Sequence, residues 1–273
     1  MREARTSVVI PMLNEARNLP HVLPRVPEAA FEVILVDGGS RDASCREARR
    51  LLPDVRVIPQ TRRGKGNALE CGFRAARGDV IVFLDADGST DPAEIPTFVA
   101  ALLDGADFAK GSRFMRGGGS SDITPLRRQG NRVLCGIVNG LYGTSYTDLC
   151  YGYNAFWRSL LPALGVADDP RAAAATAPWG DGFEVETLIN VRVANSGLKV
   201  VEVPSMEYER IHGVSNLNAV RDGLRVLGVI AQEHRRRAAA RSSAAPMFAV
   251  DTTPHACVEH LSVPCTCMAT AAA

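Results

Sequence analysis

The chain has 273 residues, 46% of them hydrophobic, and its 31 Lys and Arg balance 30 Asp and Glu to a net charge of +1. That length allows one large α/β domain or two small ones, and a near-neutral chain offers no electrostatic footprint for nucleic acid. No apolar run approaches the roughly 18–20 residues that cross a bilayer.

The start, Met1-Arg2-Glu3-Ala4-Arg5, lacks the apolar stretch of a leader peptide, so the expected location is cytoplasmic. Thr6 to Pro11 reads as the first strand and leaves into Met12-Leu13-Asn14-Glu15. A helix is expected from Asn18 to Leu23, then a second strand Glu32–Asp37 and the sharp turn Gly38-Gly39-Ser40. Asp42 is placed to N-cap a helix through Cys45 to Leu52. Val55–Ile58 reads as strand three, and Gly64-Lys65-Gly66 opens a helix through Asn67 to Ala76. The apolar run Val80–Leu84 reads as a strand buried on both faces and ends in Asp85-Ala86-Asp87. A helix from Pro92 to Leu103 and a strand from Asp107 to Lys110 follow. Strands alternating with helices predict a mostly parallel, Rossmann-like sheet built from right-handed crossovers and flanked by helices.

The second half is less regular. Gly117 to Ser121 reads as a loop, Leu126–Tyr142 as a helix carrying Arg127, Arg128 and Arg132, and Asp168–Pro178 as a surface excursion. Phe183–Ser196 reads as a helix, Leu198–Val203 as a strand, and Gly213-Val214-Ser215 as a loop. From Asn218 to about Arg237, Val220, Leu224, Leu227 and Ala231 recur at helical spacing, with a basic opposite face. That helix packs on the core in the simpler reading; in the other, its arginines meet anionic lipid headgroups. Two halves are expected, 1–115 and 116–237, followed by a low-complexity, disordered tail over 238–273. The seven cysteines are irregularly spaced and read as free thiols, and the Cys and His residues of the tail fit no standard zinc spacing.

Four features converge on one edge of such a sheet. Asn14-Glu15 follow strand one, Asp37 ends strand two, Lys65 begins the helix after strand three, and Asp85 and Asp87 end strand four. Ligands of open α/β sheets bind at the carboxyl ends of the strands. Residues i and i+2 of an extended segment point the same way, so Asp85 and Asp87 can share one divalent cation, which in turn grips a diphosphate. Singly, each residue has a simpler reading: Glu15 as an early-helix acid, Asp37 as a turn former, Lys65 as a solvated cation.

Four ordered segments carry a resemblance: Val8 to Glu15, Ile34 to Asp42, Gly64 to Ala68, and Gly78 to Asp87. Together they resemble a family 2 glycosyltransferase of the GT-A fold. Gly111-Ser112-Arg113, Asp148 with Gly152-Tyr153, Gly182 to Glu186, and Arg210 with Gly213 and Ser215 resemble its polyprenyl-phosphate and dolichyl-phosphate sugar transferase branch. The resemblance spans roughly Thr6 to Arg237 and rests on many segments recurring in order.

It implies inverting transfer of a sugar from a GDP- or UDP-linked donor to an acceptor, a polyprenyl phosphate in this branch. It implies that Pro11, Leu13 and Glu15 line the nucleoside pocket with Asp37 beside it, and that Lys65, Arg210 and the segment Asp85-Ala86-Asp87 meet the rest of the nucleotide sugar. Asp85 and Asp87 would hold Mg²⁺ or Mn²⁺. Asp87 and Arg113 are the expected catalytic residues together with Asp148 on the acceptor side, and Arg128 is a further candidate for acceptor phosphate. Four positions depart from the branch pattern: Gly38, Ser89, Asn216 and Cys150-Tyr151 stand where Asp, Gln, Lys and Ser-Gly are common. They bear on which sugar and acceptor are used.

A phosphate acceptor is already anionic and needs no general base, whereas a hydroxyl acceptor of a small molecule or glycan needs one from Asp148, Asp181, Glu184 or Glu186. A sugar-nucleotide pyrophosphorylase would carry a Gly-rich signature directly after strand one, where this chain has Pro11-Met12-Leu13-Asn14-Glu15. A dinucleotide-dependent dehydrogenase would carry G-x-G-x-x-G there. A non-catalytic nucleotide-sugar-binding module is the alternative of another class.

Overall fold

The computed structural model describes residues 4–166, 180–213 and 219–243. The expected excursion over 168–178, Asn216 and the tail beyond 243 lie outside them. In chain order the elements are β1 (Thr6–Met12), α1 (Leu19–Val22), β2 (Glu32–Asp37), α2 (Ser44–Leu51), β3 (Arg56–Pro59), α3 (Lys65–Ala75), β4 (Val80–Phe83), α4 (Ile95–Leu103), β5 (Phe108–Ser112), β6 (Gly119–Ser120), α5 (Pro125–Tyr142), β7 (Asn154–Trp157), α6 (Val185–Asn195), β8 (Val200–Pro204), β9 (Met206–Glu207) and α7 (Ala219–Ser243). Seven strands form one sheet in the order β3-β2-β1-β4-β7-β5-β8, with β7 alone running against the rest; β6 and β9 form a separate short parallel pair.

Strand alternation sorts the core into two layers, because successive side chains of a strand point to opposite faces. Val8, Ile10, Val80 and Val82 join Leu19, Phe98 and Leu102 on one side. Val9, Ile34, Ile81 and Phe83 join Phe73, Phe156 and Leu188 on the other. Helix α6 lies between this second layer and a third cluster built from α5 and α7, which contains Val138, Val191, Val226 and Ile230. It is buried nearly all round, Glu186 and Arg192 included, so a period-3.6 stripe was never its signal.

Three expectations change. β7 was not read as a strand: its four residues, beginning with a polar Asn154, are too short to show alternation, yet they fill the gap between β4 and β5. Asp42 does not cap α2; Ala43 holds that position, and the Asp42 carboxylate instead accepts from Ser44 and from the backbone N–H of Ala16. The last helix is turned from its expected phase. Its buried stripe is Asp222, Val226, Ile230 and Glu233, while Leu224 is 65% and Leu227 40% exposed. It also runs through the start of the expected tail to Ser243.

A buried ion cluster pins the second half of the chain to the sheet. Arg113, just past β5, donates from Nε to Asp148 Oδ2 at 2.7 Å and from Nη2 to Asp148 Oδ1 at 3.0 Å. Its Nη1 donates to Glu207 of β9 at 2.9 Å, and the guanidinium lies 4.9 Å from the Tyr151 ring centre. Asp148 is fully buried and Arg113 is 5% exposed. Burial alone would raise the Asp148 pKa, but the charge and hydrogen bonds of Arg113 outweigh it and hold the carboxyl below its usual range.

Removing Asp148 strands a buried guanidinium, which keeps only Glu207. Asp148→Ala is expected to cost about 3 kcal/mol, read as a lower denaturant midpoint. Because the folded-state pKa lies below the unfolded value, this contribution is complete above about pH 4 and fades as pH falls through the folded value. An acid titration of wild type and Asp148→Ala should therefore show their stabilities converging toward low pH; parallel curves would contradict the assignment.

Candidate active site

The site assembles at the edge where β1, β2, β4, β5 and β8 end and β7 begins. The loops after β1 and β2 are stitched together. Backbone N–H groups of Asn14 and Glu15 donate to Ser40 Oγ and Ser44 Oγ at 2.9 and 2.8 Å, and Arg41 N donates to Asn14 Oδ1 at 2.8 Å. Asn14 takes a left-handed backbone, φ 59°, to make the turn. The polar run after β2 thus works as a clamp that fixes Glu15. Asp37 is used locally, its Oδ1 accepting from Ser40 N at 3.0 Å.

Lys65 is the first residue of α3 and reaches across to β4. Its Nζ lies 2.7 Å from Asp85 Oδ1 and 2.6 Å from Glu186 Oε1. Burial works against its charge, but the two carboxylates prevail and push its pKa upward, so the ammonium is retained. The glycine after it is a matter of contact: a Cβ on Gly66 would sit 1.6 Å from the Gly180 carbonyl oxygen, so only glycine lets residues 180–181 lie on the start of the helix.

Arg210 makes a second bridge. It reaches Asp87 Oδ2 at 2.8 Å and Glu15 Oε1 at 3.2 Å. Ser89, at a position that departs from the branch pattern, donates from both N and Oγ to Asp87 Oδ1, at 2.9 and 2.6 Å. Ile211 N donates to the Asp87 carbonyl at 3.2 Å, which ties the segment after β9 to the acidic tip.

A cavity of about 510 Å³ opens over these groups. Of the residues expected from sequence, Lys65, Asp85, Asp87, Arg113 and Arg210 line it. Glu15 is joined to it through Arg210. Pro11, Leu13 and Asp37 stand at the ends of β1 and β2 outside its wall, and Ala86 is buried at 3% exposure. Two expectations for the acceptor side are corrected. Asp148 does not face the cavity: it is sealed against Arg113, so it cannot touch an acceptor. Arg128 is exposed away from it over Phe114, because α5 turns its neighbour Arg127 inward. Arg113 reaches the wall with its guanidinium already shared by Asp148 and Glu207.

Sequence reasoning missed Glu207, Ile123, Leu126, Leu134 and Val226 as wall residues and held Glu186 only as one acid among several. The i, i+4, i+8 spacing of Leu126, Gly130 and Leu134 marks one stripe of α5, but nothing in the sequence says which stripe meets a cavity.

Asp85 and Asp87 supply hard oxygen donors to one cavity, a chemistry suited to Mg²⁺ or Mn²⁺. Among the described residues no group of three or more His, Cys, Asp or Glu is placed to hold a metal alone. The pair therefore fits a cation whose remaining ligands come from a bound diphosphate and water.

Residues 7–165 match the model of glycosyl transferase family 2. The chain is 36% identical over 228 residues to polyprenol monophosphomannose synthase of Mycolicibacterium smegmatis, covering 78% of this chain and 81% of that one. It is 31% identical over 238 residues to glycosyltransferase AglJ of Haloferax volcanii, covering 85% of this chain and 71% of the relative. Among solved structures it matches glucosyl-3-phosphoglycerate synthase from Mycobacterium tuberculosis in complex with Mn²⁺, uridine diphosphate and glucosyl-3-phosphoglycerate. That match has a TM-score of 0.63 at 22% identity and covers 85% of this chain and 80% of the other. With a mostly parallel sheet whose carboxyl edge carries the acidic pair, and with these likenesses, the chain belongs to glycosyl transferase family 2 and has the GT-A fold.

Proposed function

We infer that this glycosyltransferase moves a sugar, with inversion, from a nucleotide-diphosphate donor to a polyprenyl phosphate. The carrying observation is the composition of the cavity. Acids and cations meet at the sheet edge, and Ile123, Leu126, Leu134 and Val226 line the side made by α5 and α7. A diphosphate suits the first region and an isoprenoid chain suits the second. Relatives support it: the M. smegmatis protein is named for polyprenol monophosphomannose synthesis, and another, from Micrococcus luteus, is an undecaprenyl-phosphate mannosyltransferase.

In this reading Glu15, with Pro11, Leu13 and Asp37 nearby, takes the nucleoside. Asp85 and Asp87 would hold Mg²⁺ or Mn²⁺, and the ion would supply Lewis-acid neutralisation of the leaving diphosphate. Lys65 and Arg210 stand beside that group and add positive charge where negative charge develops. Arg127 is the better-placed cation for acceptor phosphate, being turned inward where Arg128 is not; guanidinium groups suit bidentate phosphate contacts. Arg113 shapes the wall, and Asp148 positions Arg113. Inversion follows if the acceptor oxygen attacks opposite the departing diphosphate. A phosphate acceptor needs no base, consistent with Glu186 and Glu207 being committed to Lys65 and Arg113. Transfer to a hydroxyl is the second reading, favoured by Glu209, which faces the cavity and is exposed.

No helix among the described residues is long and apolar enough to cross a membrane. Contact with lipid would be peripheral and would use the outward-turned stripe of α7 with its neighbours on α5. Leu126 is 66%, Val133 52% and Leu224 65% exposed, and Arg132, Arg221 and Arg225 stand close by in sequence.

Nucleotide release should be measured with a panel of GDP- and UDP-sugars and Mn²⁺, with and without polyprenyl phosphate. Turnover is expected with one donor and only with the lipid; equal release without it would remove the lipid acceptor from the reading. Asp87→Ala should lower turnover by about 100-fold or more and weaken donor binding in Mn²⁺, and wild-type activity in that variant would end the metal assignment. The wild type should sediment with phosphatidylglycerol vesicles at low salt, and Leu224→Glu should reduce the bound fraction several-fold. A wild type that stays in solution would contradict the lipid-facing role of α7.

A further inference from the structure

Lys65 has two anionic partners, and the reading above sends only one of them to a metal. Its ammonium lies between Asp85 and Glu186, at 2.7 and 2.6 Å. Glu186 cannot swing away: it sits in the first turn of α6, is 3% exposed, and belongs to a helix packed on nearly every side. Gly152 closes the group from above. A Cβ there would lie 3.0 Å from Lys65 Nζ, 3.1 Å from Glu186 Oε1 and 3.4 Å from Asp85 Oδ2, so even a methyl group would press on the three charged groups. The three charged groups are confined together, with the Lys65 side chain only 15% exposed.

This confinement sets up a competition. A cation bound by Asp85 takes that carboxylate from Lys65. A buried ammonium left without a counter-charge is strongly disfavoured, so Lys65 would hold Asp85 back unless a second carboxylate stays with it. Resting on the reading of Asp85 as a ligand of a donor-bound cation, we propose that Glu186 is a positioning residue for that event. It retains Lys65 in place and charged while Asp85 is released. Arg210 repeats the arrangement at the other aspartate, lying between Asp87 and Glu15. Each ligand carboxylate is therefore lent to a cation that keeps another partner when the loan ends.

The test is a Mn²⁺ titration of the full chain, by calorimetry, with saturating GDP and separately with UDP. Glu186→Gln keeps the size of the side chain and removes its charge, leaving Lys65 dependent on Asp85. Mn²⁺ affinity in the better nucleotide is expected to fall tenfold or more, while nucleotide affinity without metal changes less than twofold. A merely structural Glu186 would lower the melting temperature and leave the metal-dependent affinity where it was, and that result would overturn the proposal. If Glu186→Gln does not fold, Lys65→Met carries the test with Mn²⁺ in the same nucleotide. Freed of its competitor, Asp85 should bind the ion at least tenfold more tightly than in the wild type; unchanged affinity would overturn the proposal. A wild type that takes no Mn²⁺ with either nucleotide would instead overturn the reading of the site, and this inference with it.

Discussion

The structure depends on how charge is balanced at the carboxyl edge of the sheet. Four carboxylates, from Asp85, Asp87, Glu15 and Glu186, share two cations, Lys65 and Arg210. Two negative charges are left over, an excess that one divalent cation would offset. The pairs are close, at 2.6 to 3.2 Å, and mostly shielded from water, so the imbalance is not screened away as it would be on an open surface. Acids gathered this way destabilise a fold unless something neutralises them, so their presence together at the carboxyl edge of the sheet points to a ligand.

Everything around that edge holds it in register. Parallel pairing of β1 with β2 and β4 brings Glu15, Asp37 and the acidic tip side by side. Hydrogen bonds between the β1 and β2 loops fix Glu15. The close approach of residues 180–181 to Gly66 lays the segment before α6 across the start of α3, and that places Glu186 opposite Lys65. On the far side, Arg113, Asp148 and Glu207 lock the second half of the chain against β5 and β9. Rigid support of this kind is what a site needs if its geometry is to survive the exchange of partners within it.

The sequence made the first half legible because its signals are local. Buried strands such as Val80–Phe83 read as continuous apolar runs, and the acids at their tips stand out against them. The second half resisted because its signals are not local. Asn154–Trp157 is a strand only because β4 and β5 flank it. Helix α7 carries two stripes that could each face inward; the chosen one includes Asp222 and Glu233, which find arginine partners, and it leaves Leu224 and Leu227 outside. Asp148 reads in sequence as an available acid, and only the guanidinium folded over it shows that it is spent. Arg127 and Arg128 are adjacent and alike, so helix rotation alone decides which one meets the cavity.

Anomalous diffraction from a crystal grown with Mn²⁺ and the nucleoside diphosphate that the chain binds would test the central claim most directly. One manganese peak is expected between the Asp85 and Asp87 carboxylates and the diphosphate, with Lys65 still on Glu186 and Arg210 still on Glu15. A peak elsewhere, or a bound diphosphate with both aspartates still held by their cations, would contradict it.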